Sequence, residues 1–336
     1  MKDTKQDDNV LKTKTCLPPL SPPLLKDFEE LKVSTRTIIA STGMQLDITK
    51  IFENMNVDSV ENITKESKIT GLKYRFVALY FKNEWKKVAD WNPKYHSRSK
   101  SNNNKKKATS NTETNQNEVK KSFRNALNLI YEIDGGNHVN FKISKNGKFQ
   151  LTGCKEYSYA KTCVLDCVQQ ILTSIPGAIL SPSIETLDRE GISISFQTVM
   201  TNLDFHVGYM VNREILDNWI NKKTSFYSLL ETSFGYTGVN IKFPLSCEWW
   251  NVPCPVIYWN PRLDTMEDTV KPLIELIPSD VMTRYKKKGR YNTFLVFHSG
   301  KVIMSGMFLE TMKADYNHFV HLMKEWESTI KEKILV

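Results

Sequence analysis

YNTFLVFHSGKVIMSGM, residues 291–307, reads as two β-strands joined by a tight turn at Ser299-Gly300, with glycine where a positive φ is needed. An imperfect double, NHVNFKISKNGKFQLTGCK, lies at 137–155. In both copies a strand runs into [Asn/Ser]-Gly-Lys, and the strand that follows ends in [Thr/Ser]-Gly.

Landmarks upstream of each hairpin recur in the same order. STRTIIAS from Ser34 pairs with SFQTVMTN from Ser195, 161 residues apart. ITGLKYRF from Ile69 pairs with YTGVNIKF from Tyr236 (167 apart), WNPK at Trp91 with WNPR at Trp259 (168), and Gly147 with Gly300 (153). A shared order with small insertions is an internal duplication, and each unit is too long for a solenoid repeat. The chain therefore reads as two homologous halves, 31–175 and 190–330.

With 336 residues, 40% hydrophobic and 25% charged, the chain can bury a substantial core without staples. A net charge of +9 favours an anionic partner but marks no site. Six cysteines form no CxxC pair and no Cys/His array, so the reading is reduced thiols in a nuclear or cytoplasmic setting, with no metal and no cofactor. Cys163 and Cys167 lie four apart on a helical stripe, which makes them packing residues. His318 and His321, three apart, lack the rest of a metal site. No apolar run reaches membrane-spanning length, and no catalytic carboxylate or lysine constellation points to an enzyme.

Residues 1–30 read as a disordered tail ending in LPPLSPPLL, a segment suited to polyproline II. A β-run from Val33 leads to Gly43 and a short helix capped by Asp47, with Ile48, Ile51 and Phe52 on one face. In the second half a β-run at 194–203 leads to a helix opened by Asn212, with Ile215, Leu216, Trp219 and Ile220 inward. Residues 94–121 hold nothing that can be buried and read as a mobile insertion carrying Lys105, Lys106 and Lys107. The second insertion, 247–290, is apolar enough to fold. Each half closes with its hairpin and an amphipathic helix: Ala160, Cys163, Val164, Cys167, Val168 and Ile171 in the first, Tyr316, Phe319, Val320, Met323, Trp326 and Ile330 in the second. The order is strand, helix, several antiparallel strands, helix. The fold class is α+β, a continuous antiparallel sheet with helices across one face.

That duplicated order, with [Ser/Asn]-Gly-Lys-x-x-x-[Thr/Ser]-Gly closing each sheet, resembles the TATA-binding protein family, as a divergent member of the type carried by large DNA viruses. The family motif reads Leu-Ile-Phe-x-Ser-Gly-Lys-x-Val-x-Thr-Gly-Ala-Lys. Leu295, Val296, Phe297, Ser299, Gly300, Lys301, Ile303, Ser305 and Gly306 fall on it in the second half, and Met307 and Phe308 depart from its end. In the first half Gly147, Lys148, Thr152, Gly153 and Lys155 match, while Lys142 replaces the leucine, Ser144 the phenylalanine and Gln150 the valine. The resemblance implies a saddle of about ten antiparallel strands that binds and bends A·T-rich DNA through the minor groove. It puts the second wedge of each half at Ile69 and Tyr236, and the family's paired asparagines on Thr37 and Thr198, beside Ile39 and Met200.

The residue types suit that chemistry. Hydroxyls such as Thr37, Thr198, Thr152 and Ser305 can meet minor-groove acceptors. Apolar wedges offset an unstacking cost of about a few kcal/mol per step by contact with bent DNA; Phe297 and Tyr236 qualify, Ser144 does not. Alternation gives a check free of any family. Thr293, Leu295 and Phe297 share one face and Phe294 and Val296 the other, so this strand is apolar on both sides, whereas Asn140, Lys142 and Ser144 oppose Phe141 and Ile143 in the ordinary core-in pattern. The expectation is a transcription initiation factor lopsided toward its second half, working with general transcription factors or RNA polymerase in the nucleus or a cytoplasmic viral factory. Two alternatives stand beside it: a saddle that has become a protein-interaction module, and a second half whose apolar face is covered by 247–290.

Overall fold

The structure, a computed structural model, describes residues 25–58, 64–89, 91, 126–231, 238–245, 248–260 and 262–333. The first half holds β1 (Val33–Ser41), β2 (Gln45–Leu46), α1 (Ile48–Asn54), β3 (Lys65–Glu66), β4 (Lys73–Phe81), β5 (Glu84–Lys87), β6 (Ala126–Ile133), β7 (Asn137–Ser144), β8 (Lys148–Cys154) and α2 (Tyr157–Ser174). β9 (Ile179–Ser181) and α3 (Ile184–Glu190) lead to the second half. That half holds β10 (Ile192–His206), α4 (Arg213–Lys223), β11 (Tyr227–Glu231), β12 (Gly238–Pro244), β13 (Pro253–Asn260), β14 (Thr265–Pro272), α5 (Leu273–Leu276), α6 (Ser279–Lys288), β15 (Tyr291–Phe297), β16 (Lys301–Gly306), α7 (Leu309–Glu325) and α8 (Glu327–Ile330).

The main sheet runs β11-β12-β15-β16-β10-β1-β8-β7-β6-β4-β3, with β5 beside β4 and the β13–β14 hairpin beside β10. Outward from the central β10–β1 contact, β10, β16, β15, β12 and β11 match β1, β8, β7, β6 and β4 in order, and the two-residue β3 adds a sixth strand to the first half. The fold is thus a duplicated α+β arrangement, one continuous antiparallel sheet with helices on one face, as the duplicated order implied.

Hydrogen bonds repeat between the halves. Thr42 N–H donates to Gly147 C=O and Val207 N–H to Gly300 C=O; Leu46 donates to Lys145 and Val211 to His298; Asp47 donates to Ala178 and Asn212 to Ile330. These fix the equivalence at 165 residues for the opening strand and helix, and at 153 for the hairpin. Both helix caps follow it: the Asp47 side chain accepts from Thr49 and Lys50 N–H, and that of Asn212 from Ile215 N–H. At the far end of α1, Lys86 Nζ donates to the carbonyls of Phe52, Glu53 and Met55, closing the helix with a cation.

Two of the sequence pairings do not survive. The strand at 73–81 is the outer strand β4, whose counterpart is β11; the run from Gly238 is β12, whose counterpart is β6, so Ile69 and Tyr236 are not equivalent. Trp91 follows β5, whereas Trp259 lies on β13 in the inserted hairpin. The superposition of Thr37 on Thr198 fails as well, because the repeated bonds equate Thr37 with Asn202.

Helix stripes form the cores. Ala160, Cys163, Val164, Cys167, Val168 and Ile171 are fully buried over the first half, and Met312, Tyr316, Phe319 and Met323 are buried over the second. The described part of 247–290 puts Trp249, Cys254, Leu273 and Met282 into a cluster with Met307, and Ile257 and Trp259 into the first core. The reading of 1–30 as a disordered tail is corrected at its end: Phe28–Glu30 form a 3-10 turn on α7. There Phe28 meets Tyr316 with ring centroids 5.6 Å apart, and Tyr316 Oη donates to Lys26 C=O at 2.6 Å. The insertion at 94–121 lies outside the described residues.

Gly147 and Gly300 carry φ of +64° and +85° in equivalent turns. A Cβ at Gly147 would stand 2.4 Å from Met44 O, and one at Gly300 would stand 2.0 Å from Tyr209 O, both backbone atoms. At Gly135 (φ +67°) a Cβ would meet nothing within 4 Å. Gly135→Ala therefore costs about 1–2 kcal/mol of backbone strain alone, whereas Gly147→Ala and Gly300→Ala add a steric collision and each lose clearly more. Urea denaturation of the three variants checks this; equal losses would mean the two turns are not held as described.

Candidate nucleic-acid interface

Residues paired across a sheet share a face, so the register sorts the side chains. In the second half one row opposite the helices reads Asp204, Ile303, Leu295, Asn240, Leu229, and the row nearer the centre reads Asn202, Ser305, Thr293, Lys242, Tyr227. The equivalent rows of the first half are Ile39, Gln150, Lys142, Asn128, Tyr80 and Thr37, Thr152, Asn140, Ile130, Ala78. At the turns Phe297 sits opposite Gly238 and Ser144 opposite Ala126; Lys301 sits opposite His206 and Lys148 opposite Ser41. Beneath the second half's surface Phe294, Val296, Val302 and Met304 are completely buried. Its open face adds Leu229, Leu295, Phe297 and Ile303, among polar neighbours, outside a finished core.

Of the residues expected to contact DNA, Thr37, Ile39, Lys148, Thr152, Met200, Leu295, Phe297, Lys301, Ile303 and Ser305 lie on this open face. Met200 is exposed, and Thr37 is closely packed at 7% exposure. Thr198 does not lie there. The β1–β10 register passes from Thr37↔Met200 to Ile38↔Thr198, so Val199 is an extra residue. That bulge reverses which face each later β10 side chain takes. Thr198 pairs with the fully buried Ile38 and turns to the helix side. Ile69 sits in the turn before β4, where its neighbour Thr70 shares a hydrogen bond of 2.6 Å with Thr162 of α2, again on the helix side. Tyr236 lies outside the described residues.

Asn202 was missed. It faces Ser305 and Thr35 on the open face, and its Oδ1 is buried without a hydrogen-bond partner among the described residues. The signal was present: Asp47 and Asn212, both visible as helix caps, are 165 apart, and the same step carries Thr37 to Asn202.

Charge on this surface is mixed. Lys301 Nζ lies 3.2 Å from Asp204 Oδ2, with both side chains well exposed, so the pair is worth about 0.2–1 kcal/mol and releases its lysine readily. Lys242 Nζ stands 5.5 Å from the centre of the Tyr227 ring. At the outer edge of the first half Trp91 packs on Val77, Ala78 and Ile130 and closes that part of the face, with Trp85 against it at 5.6 Å between centroids.

Nothing among the described residues gathers metal ligands, and no described helix is long and apolar enough to cross a membrane. Burial pushes the thiols of Cys154, Cys163, Cys167 and Cys254 well up, to about 12 for Cys154 and about 11 for Cys254. A disulfide reagent at pH 8 should therefore label at most two of the six thiols in native protein and all six after denaturation. Labelling of a third thiol while the protein stays folded would show that one of these four is accessible.

Comparison with known proteins adds three findings. No family model matches the chain. Uncharacterized protein 335L of Invertebrate iridescent virus 6 is 26% identical over 230 residues, which span 66% of each chain. Among solved structures, the TBP of Methanococcus jannaschii aligns over 88% of this chain and 99% of its own, at 12% identity and a TM-score of 0.38.

Proposed function

We propose that this chain is a non-enzymatic DNA-binding protein of transcription initiation, which receives A·T-rich duplex on the open face of its sheet through the minor groove, chiefly by its second half. The observation that carries the reading is Phe297, Leu295, Ile303 and Leu229 on that face above a core already complete. Leu229 is 48% exposed, and side chains of this kind outside a finished core mark a binding surface. The described part of the 247–290 insertion supports the reading too, since its buried side chains pack with Met307 and the first core. In this role Phe297 wedges between base steps, Asn202, Ser305 and Thr152 meet groove acceptors, and Lys148 and Lys301 meet phosphates. General transcription factors or RNA polymerase would dock on the helix side, and the viral relative fits action in a viral factory or a nucleus.

A protein-interaction module that has lost DNA binding is the second reading, favoured by Asp204, a carboxylate where the first half has Ile39, and by Trp91, which fills part of the first half's face. Binding of the full chain to A·T-rich and G·C-rich duplexes across a salt series separates the two. Phe297→Ala should weaken A·T-rich binding roughly tenfold or more, by loss of base contact, with little change in melting temperature. Asn202→Ala should weaken it as well, while Ser144→Ala and Thr198→Val should not. Steep salt dependence without A·T preference would indicate backbone attraction alone. Unchanged affinity in Phe297→Ala would leave the interaction module.

A further inference from the structure

A groove of about 530 Å³ lies on the helix side of the sheet, over the two central strands. Arg36 of β1 and Thr198 of β10 line it, as do Trp249 from the insertion and Phe308 ahead of α7. Apolar side chains share its walls with the neutral polar Gln197, Thr201 and Asn251, and its charged members are Arg36, Glu248 and Glu310.

Arg36 is the odd member. Among the described residues its guanidinium makes one hydrogen bond, from Nη1 to Lys155 C=O, and no carboxylate lies within ion-pair distance. Burial pushes it below its usual range, and the acid that acts on it is Glu156 rather than either groove glutamate. A guanidinium carries five N–H donors in a flat fork, so most of this one is unmet by protein. A partly buried cation of this kind gains most from a bidentate carboxylate that arrives with its own apolar cover.

We propose that this groove docks an acidic, aromatic-containing segment of a partner protein, one carboxylate on the Arg36 fork and a neighbouring large apolar side chain against Trp249 and Phe308. Charge complementarity chooses this occupant: the half-buried Arg36 fork suits a carboxylate, and the apolar walls suit a bulky neighbour. Glu248 and Glu310, which do not act on Arg36, favour a basic flank at the other end of the segment. The groove lies on the opposite face from Phe297, so its occupation is compatible with a ligand on the open face and independent of what that ligand is.

The test is fluorescence polarisation of the full chain with a fluorescein-labelled twelve-residue peptide in which Asp alternates with Phe and Leu and one end carries two Lys. Saturable binding is expected. Replacing Asp by Asn in the peptide, or Arg36→Met in the protein, should weaken it by about thirtyfold or more, as expected for removing one partner of a desolvated charge pair. Arg36→Lys should be intermediate, because charge remains without the fork. Phe308→Ala, which trims a partly buried side chain at the edge of the Trp249 cluster, should weaken binding while the protein stays folded, and it carries the test if Arg36→Met does not fold. Equal binding of the Asp and Asn peptides, absence of saturable binding, unaltered affinity in folded Phe308→Ala, or displacement of the peptide by an oligonucleotide that Arg36→Met no longer binds would each overturn the proposal.

Discussion

The antiparallel pairing of β1 with β10 is the constraint on which the rest of the molecule depends. The two hydrophobic cores are separate clusters, and β10 supplies both: Ile192, Ile194 and Phe196 to the first, Leu203 to the second. An unbroken fifteen-residue strand would turn Leu203 to the face opposite Ile192, Ile194 and Phe196, yet its even-numbered residues serve the helix side before Val199 and its odd-numbered residues do so after it. The bulge makes this possible, because one extra residue exchanges the faces without ending the strand. Thus a single irregularity in the central register lets one strand close two cores, and it also decides which β10 residues reach the open face.

Equal backbones carry unequal surfaces. At matched positions the first half presents Gln150, Lys142 and Ser144 where the second presents Ile303, Leu295 and Phe297. Burial of the core cannot account for the difference, since Phe141, Ile143, Phe149 and Leu151 under the first half are as completely buried as their counterparts under the second. What differs is the side free of helices. The first half's turn is supported instead by its own polar groups: Ser144 Oγ donates to Asn146 Oδ1 at 2.6 Å and to Lys148 C=O at 3.0 Å. A residue committed to holding the turn is not available as a wedge.

Much of this was legible because local signals are independent of distant context. The turn glycines, the Asp47 and Asn212 caps and the helix stripes each follow from a short-range rule, and all of them fall where those rules put them. Where sequence and structure part, the reason is common to each case: similarity of short words does not make equivalence of place. YTGVNIKF and ITGLKYRF look alike because both bring a glycine to the start of a strand, yet β12 is the fourth strand out from the central contact and β4 the fifth. Thr198 resembles Thr37 in its local sequence, but a bulge is a property of strand pairing, and no single strand's composition reveals it. The caps offered the better ruler, since a helix start is fixed by hydrogen bonds and tolerates no slippage, and it would have led to Asn202.

The insertion is placed by the same central strand. Residues 192–195 of β10 extend past the reach of β16, which pairs only with 201–206, so this end of the strand has an unpaired edge unless something covers it. β13 does so, pairing Val256 to Trp259 with Ser195 to Ile192. The equivalent segment of the first half, 165 residues earlier, is 27–30, and there the chain leaves the sheet to form its 3-10 turn on α7. The twofold therefore breaks at matching places for one reason: each end of the central pair needs a cover, and the chain supplies a hairpin at one and a helical turn at the other. Because the hairpin brings Trp249 and Pro253 over the helix side of β10, the break itself builds the wall of the groove in which Arg36 lies.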